Sequence, residues 1–338
     1  MNKTRVSVII PVLEINDYIL DENLPAHARL TFKDFEVIVL PNTLPHNHAK
    51  IVQKYPWLRI IPTGSITRPA LKRDIGAEAA KGDILAFIDD DAYPARSWLS
   101  QAMTLFEKEN IMAVCGPGVL PSYTNIWEKV FDEIFKSWVG SGGFAYRFTK
   151  APARYVDDYP SMNFLVRKDI FKKLGGFNND FWPGEDSKLC EDIVYTLGGK
   201  ILYSPLVLVH HHRRSDIPGY LRQHARYGFH RGAFFSHGDK NSRHVAYLVP
   251  AFFVIYLAGL ILSFSFFSSM WPVVLSPLLL YIFLLFNLGS HAYSHTKSLK
   301  IAHLSAIVLF LTHMVYGIQF IKGFFVGLLR QENIYGKK

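Results

Sequence analysis

The sequence predicts an α/β fold, a mostly parallel Rossmann-like sheet with a C-terminal transmembrane helical region, and three observations carry that reading. Short, wholly apolar runs alternate with helix-like segments up to about Val209. Charge lies almost entirely before Arg243. Beyond it come three apolar stretches of the length a bilayer demands.

Val6-Ser-Val-Ile-Ile10 and Glu36-Val-Ile-Val-Leu40 are strand-like, and Pro11 and Pro41 end them. Ile84 to Ile88 and Ile111 to Cys115 give a third and a fourth strand. Pro69 to Lys81 reads as a helix, with proline near its start and Gly82 just past its end. A helix-like run from Ser187 to Leu197 is closed by Gly198-Gly199, and a strand-like run covers Ile201 to Val209. Strands that are apolar at every residue are buried on both faces, which calls for a parallel sheet covered by helices. Ligands of such sheets sit at the carboxyl ends of the strands.

Residues 246–267, 271–289 and 301–321 are the expected spans, the first two joined by a tight turn at Ser268-Ser-Met270. The helices of a soluble core need a polar face, which these runs lack. Before them, His210 to His244 holds Arg213, Arg214, Arg222, Arg226, Arg231, Lys240 and Arg243 against Asp216 and Asp239, within a net charge of +9. Nucleic acid is one reading of such a stretch. Its position immediately before a span favours anionic membrane lipid and no nucleic acid. With Lys297 and Lys300 between the second and third spans, the positive-inside rule places both basic segments, and the catalytic part, on the cytoplasmic face of an inner or plasma membrane, in a multi-pass chain. A full third crossing puts Arg330, Lys337 and Lys338 on the other side, against the rule, so Gly323 to Leu329 lying along the interface stays open. No apolar signal run follows Met1, and the two cysteines, Cys115 and Cys190, lie far apart, so a cytoplasmic, reducing setting is expected. The plan is then a catalytic domain over 1–214, a basic interfacial segment over 215–245 and a transmembrane region over 246–330. A chain cut after Arg243 is expected to stay soluble on its own core.

Three clusters carry chemistry. Asp89-Asp90-Asp91 ends the third strand; adjacent carboxylates repel one another, and a hard divalent cation such as Mg²⁺, or alternatively a solvated turn, resolves that. Trp182-Pro183-Gly184-Glu185-Asp186 precedes a helix, so its acids are either helix caps or a general base at the mouth of the sheet. His210-His211-His212-Arg213-Arg214 follows the last strand-like run. One imidazole, with His210 nearest the strand end, can complete a metal site, and arginines can grip a diphosphate; an exposed basic turn is the alternative.

Taken together, Val6-Ser-Val-Ile-Ile-Pro11, the Asp89-Asp90-Asp91 run, Gly184-Glu185-Asp186 and His210 resemble, in order and spacing, the motifs of family-2 glycosyltransferases of the GT-A fold. Arg73-Asp74-Ile75-Gly76-Ala77 is similar to that family's Arg-Asn-x-Gly segment, and Gln223-His-Ala-Arg226-Tyr227 to its Gln-x-x-Arg-Trp motif. The membrane tail, with His313-Met-Val-Tyr-Gly317, resembles that of bacterial exopolysaccharide transferases. The resemblance implies Mg²⁺ or Mn²⁺ held by Asp91, Asp89 and His210, with Asp186 as catalytic base beside Glu185. It also implies a donor pocket of Pro11, Val12, Glu14, Asn42, Lys72, Arg73, Asp89 and Asp90. Asn163, Gln223, Arg226 and Tyr227 then face the acceptor. The family's base-reading Asp after the second strand is absent here, where Asn42 stands. The partners implied are a UDP- or GDP-linked sugar donor, a polyprenyl-diphosphate-linked glycan acceptor and membrane lipid, with homo-oligomerisation left open. The expected reaction is inverting transfer of one sugar in surface polysaccharide assembly. A processive synthase, or a membrane scaffold with a decayed transferase domain, are the alternatives.

Overall fold

The computed structural model describes residues 5–177, 184–238, 241–263 and 271–329. Its strands are β1 (Val6–Pro11), β2 (Phe35–Leu40), β3 (Leu58–Ile60), β4 (Ile84–Ile88), β5 (Ala92–Pro94), β6 (Ile111–Cys115), β7 (Gly118–Val119), β8 (Arg154–Val156), β9 (Asn163–Arg167), β10 (Lys200–Tyr203) and β11 (Val209–His211). The helices that matter below are α1 (Pro69–Ala79), α2 (Trp98–Phe106), α3 (Ile126–Lys136), α4 (Glu185–Glu191), α5 (Ile217–His237), α6 (Val245–Ser263), α7 (Trp271–Thr296) and α8 (Leu299–Leu329).

The chain forms two compact units, residues 1–121 with 149–212, and residues 122–148 with 213–338. The first unit holds an eight-stranded sheet in the order β3-β2-β1-β4-β9-β6-β10-β8. β3, β2, β1 and β4 run parallel, β9 is antiparallel to β4 and β6, and β8 is antiparallel to β10. Every residue of β1, β2 and β4 is buried, as their largely apolar sequences require, and the two polar exceptions pair with each other, Ser7 Oγ donating to Glu36 Oε1 at 2.7 Å. The expected strand from Ile201 to Val209 is two strands. Pro205 offers no N–H to a ladder, and Val207 N–H donates to Ser204 O at 3.2 Å, closing a turn. The chain then leaves the large sheet, and β11 joins a small second one in the order β5-β11-β7.

Asn163, at the start of β9, is enclosed by the core at 0% exposure. Its Nδ2 donates to Gly116 O at 2.6 Å and to Val207 O at 2.7 Å, and its Oδ1 accepts from Trp98 Nε1 at 2.9 Å. Both amide protons and the carbonyl are spent inside the protein. The acceptor-facing role expected for Asn163 is therefore corrected: it is an internal clamp between the two sheets.

In the second unit, Val130, Phe131 and Ile134 of α3 pack with Tyr220, Leu288, Ile301, Val308 and Leu309. Segment 122–148, placed by the sequence within a catalytic domain over 1–214, thus belongs with the C-terminal helices, because the apolar face of α3 finds its cover there. Tyr220 is 1% exposed and stacks on Phe131 with ring centroids 3.9 Å apart. Among the described residues, two helices are long and apolar enough to cross a membrane, over Pro272–Thr296 and Leu299–Leu329, and Val245–Leu260 is a shorter apolar helix. Three full spans were expected, and the end of the first, beyond Ser263, lies outside the described residues. The turn at 268–270 and Arg330, Lys337 and Lys338 lie outside the described residues. α8 continues as helix through Gly323 to Leu329. Gly323 permits a close crossing with α5, since a Cβ there would lie 1.9 Å from Phe229 O.

Two expectations follow. Cutting the chain after Arg243 bares the α3 face of Val130, Phe131 and Ile134, so the product should aggregate without detergent, contrary to the reading from sequence. A monodisperse, detergent-free peak in size-exclusion chromatography would refute that packing. Asn163→Ala should lower unfolding stability by about 2–5 kcal/mol, because it orphans a buried indole N–H and two carbonyls. Denaturant titration reads this directly, and an unchanged midpoint would return Asn163 to the list of ligand contacts.

Candidate active site

The acidic run at the end of β4 is set by its neighbours on both sides. Asp91 leads into β5, and β5 pairs antiparallel with β11 in the register His211 to Ala92 and His210 to Tyr93. That register brings His211 Nε2 to 3.0 Å from Asp91 Oδ1, while the His212 N–H donates to Asp91 O at 3.0 Å. Asp89, Asp91 and His211 each offer one ligand atom, and the three atoms lie within 4.8 Å of one another. Their side chains are 31%, 22% and 17% exposed, so solvent reaches the cluster. Two carboxylates and one imidazole suit Mn²⁺ or Mg²⁺ chemistry.

His210, expected in this cluster, is not part of it. Successive residues of a strand point to opposite faces, and His210 stacks on Tyr93 with ring centroids 4.8 Å apart. Burial lowers its pKa, with the Glu22 charge opposing. His212 turns instead to Glu22, whose carboxylate lies 3.1 Å from its Nε2. The middle Asp90 also faces elsewhere, accepting from Asn16 Nδ2 at 2.7 Å. Burial first, then the charges of Asp91 and Asp89, push its pKa up to about 6.

The second acidic motif is tied to the first by Arg73 on α1, which is 5% exposed. Its Nη2 donates to Asp89 Oδ1 at 2.7 Å and its Nη1 lies 3.7 Å from Glu185 Oε1. Glu185 opens α4, and its other oxygen accepts from the Gly184 N–H at 3.0 Å. Asp186 follows, accepting from the Ser161 N–H at 3.2 Å and the Ser187 N–H at 2.9 Å. Burial, then the Glu185 and Asp158 charges, raise the Asp186 pKa to about 6. Trp182 and Pro183 lie outside the described residues.

The expected donor residues divide by access. Lys72 is 1% exposed, and its Nζ donates to Val12 O, Leu40 O and Asn42 Oδ1. It ties together the carboxyl ends of β1 and β2, and through them Asn42, whose N–H donates to Leu13 O at 2.8 Å. Burial depresses the Lys72 pKa and the nearby Asp90 charge opposes this. Pro11 and Val12 are buried, whereas Glu14 is exposed.

The expected acceptor residues outside the sheet lie on α5, in the second unit. Gln223 Nε2 donates to Tyr227 Oη at 2.9 Å, and Gln223 Oε1 accepts from Arg214 Nε at 3.2 Å. Arg222 and Arg226 are exposed on the same helix. Arg213 is unsuited to grip a diphosphate, because its Nη2 is buried against Asp132 at 2.8 Å. Sequence reasoning placed a metal-binding imidazole among the three histidines but favoured His210 over His211, and it missed Asn16 and Asp158. Strand alternation across His210-His211-His212 separates two faces but does not say which one meets Asp91, and Asn16 and Asp158 sit in no motif.

The family model described as glycosyl transferase family 2 matches residues 7–175, half of the chain. A pre-mycofactocin glycosyltransferase of Mycobacterium tuberculosis is 27% identical over 160 residues, 47% of this chain and 33% of that protein. A glucosyl-dolichyl phosphate glucuronosyltransferase of Haloferax volcanii is 24% identical over 148 residues, 41% of this chain and 46% of that one. The chain thus matches a third to a half of the length of these curated relatives. Among solved structures, the mannosyltransferase PcManGT of Pyrobaculum calidifontis, in complex with GDP-Man and Mn²⁺, shares the fold with a TM-score of 0.51 at 17% identity, covering 97% of this chain and 88% of that one. With a GT-A sheet that carries its acidic run at the end of the fourth strand, and a family model that matches half of the chain and most strands of that sheet, the chain belongs to glycosyl transferase family 2.

Proposed function

We propose that the chain is a metal-dependent, inverting glycosyltransferase that moves a sugar from a nucleoside-diphosphate donor to a lipid-linked glycan acceptor at the cytoplasmic face of a membrane. One observation carries the reading: Arg73 holds Asp89 of the first acidic motif and Glu185 of the second, so a cation-binding cluster and a raised-pKa carboxylate share one site. A divalent cation on Asp89, Asp91 and His211 would offset the negative charge that grows on the departing diphosphate.

The chain's own groups do the rest. Asp186 takes the proton of the acceptor hydroxyl as that oxygen attacks the sugar carbon opposite the leaving group, which inverts the carbon. A carboxylate whose pKa is raised towards neutrality is a stronger base than an exposed one and is still ionised at pH 7. The backbone of Pro11 and Val12, with Asn42 positioned by Lys72, lines the nucleotide side. Arg73 keeps both acids in place. On α5, the exposed Arg222 and Arg226, with the bonded pair Gln223 and Tyr227, suit the phosphates of a lipid-linked acceptor. The two helices of membrane-spanning length and the basic segment before them support membrane attachment. Even the three spans read from the sequence are few to line a secretion channel within one chain, which favours single-sugar transfer over a processive synthase.

Two experiments test this. Nucleotide-sugar donors should be hydrolysed slowly in Mn²⁺ without acceptor, and EDTA or Asp91→Asn should abolish this, because an amide is a poor ligand for a hard cation. Full, metal-independent turnover by Asp91→Asn would remove the metal assignment. Asp186→Asn should cut transfer about 100-fold or more while sparing donor affinity. In the wild type, kcat/KM should fall as pH drops through about 6, since the base is lost on protonation. A flat profile from pH 5 to 8, or an equal loss of donor binding in Asp186→Asn, would rule out that role.

A further inference from the structure

Outside the residues used above, the second unit gathers three side chains with metal-ligand chemistry. Glu133 comes from α3, and His291 and His295 from the last turns of α7. Each offers one ligand atom, and the three atoms lie within 4.8 Å of one another. The histidines are four residues apart, so they share one helix face, and their ring centroids are 4.2 Å apart. His295 Nδ1 is 3.1 Å and His291 Nδ1 3.8 Å from Glu133 Oε2. Metal bonds of about 2.1 Å in tetrahedral geometry separate neighbouring ligand atoms by about 3.4 Å, and the two observed distances bracket that value.

The electrostatics of the cluster point the same way. The Glu133 side chain is 5% exposed, while His291 and His295 are 41% and 49% exposed. The carboxylate is thus sunk beneath two imidazoles that form an open mouth. A buried carboxylate demands a positive partner, and Lys136 serves it only in part. Lys136 Nζ is 3.7 Å from Glu133 Oε1 but 2.5 Å from Asp132 Oδ2. Glu133 Oε2 is left to the imidazoles. Of these, His291 Nδ1 is a buried nitrogen with no hydrogen-bond partner among the described residues, aimed at the carboxylate yet too far to bond it.

We propose that Glu133, His291 and His295 bind a divalent cation of the Zn²⁺ class, which staples the end of α7 to α3. Two imidazoles and one carboxylate are the donor set of borderline-soft ions, and three protein ligands leave a fourth position to water. The ion neutralises Glu133 and gives the orphaned His291 nitrogen a partner. Its role is structural, and it stands whether or not the transferase reading holds.

The full-length chain, purified in mild detergent with a histidine-free tag and stripped with chelator, should be titrated with Zn²⁺ against a chromophoric competitor. An Asp91→Asn background removes the other cluster. In that background one equivalent should remain. It should be lost in Glu133→Gln and in His295→Gln, and Zn²⁺ should raise the Tm of the parent and of neither variant. Co²⁺ should give visible d–d absorption in the parent, and the band should vanish in His291→Gln. Equal Zn²⁺ stoichiometry and affinity in the parent and all three variants, or no equivalent in the parent, would reduce the cluster to a histidine–carboxylate ion pair. The three single substitutions come from two helices, so misfolding of one leaves the others to decide.

Discussion

Five carboxylates, Asp89, Asp90, Asp91, Glu185 and Asp186, belong to one site, and their mutual repulsion is the constraint the first unit has to meet. Arg73 meets most of it. Its guanidinium is planar and forked, so two nitrogens can face two acids from different elements at once, 2.7 Å from Asp89 and 3.7 Å from Glu185. With 6% of its side chain exposed, Arg73 carries a buried charge that these two acids offset. Removing Glu185, the buried partner, leaves part of that buried charge uncompensated, whereas solvent can replace part of what the 31% exposed Asp89 supplies. The remaining charges are managed differently. Asp90 and Asp186 carry raised pKa values, and Asp91 faces the imidazole of His211.

Backbone register sets up the cluster that Arg73 stabilises. β5 starts directly after Asp91 and pairs with β11, so two segments 120 residues apart meet at one residue pair. The two-residue period of the strand then decides the chemistry. A slip of one position would present His210 to Asp91 and bury His211 against Tyr93. The stack of Tyr93 on His210 and the bond from the His212 N–H to Asp91 O both oppose that slip. Asn163 adds a third restraint by bonding Gly116 O, before β7, and Val207 O, before β11.

Much of this was legible in the sequence. The apolar runs of β1, β2, β4 and β6 mark a buried sheet, and acids at the end of β4 can hardly serve packing. Periodicity could not show β9, an antiparallel strand inserted between parallel ones, nor β8 at the edge. Both are defined by long-range pairing. The same limit explains His210, since three consecutive histidines carry no signal of which face meets a partner from another strand. Asn163 misled for a related reason: the resemblance gave it an acceptor-facing role by its place in the chain, and place in the chain does not show a buried amide with every group bonded. The affiliation of 122–148 was hidden because α3 is amphipathic, which says that a face is covered but not by what.

That face of α3 also shows how the second unit handles charge. Glu128, Asp132 and Glu133 are buried beside its apolar stripe. Glu128 closes a capping box with the Asn125 N–H at 3.0 Å, so its charge is met by helix-end donors. Asp132 takes both Arg213 at 2.8 Å and Lys136 at 2.5 Å. Arg213 in turn lies over the rings of Phe135 and Phe148, so its cation is spent twice within the unit. Glu128 is therefore satisfied by backbone donors and Asp132 by two side chains of fixed charge. Glu133 has Lys136 at 3.7 Å from one oxygen only, and its other oxygen faces side chains whose charge is conditional, since imidazole is neutral near pH 7 unless something holds its proton or takes its place. A buried carboxylate in that position either protonates its histidines or recruits a cation. The nitrogen of His291 left without a bond makes the second the better match to the geometry.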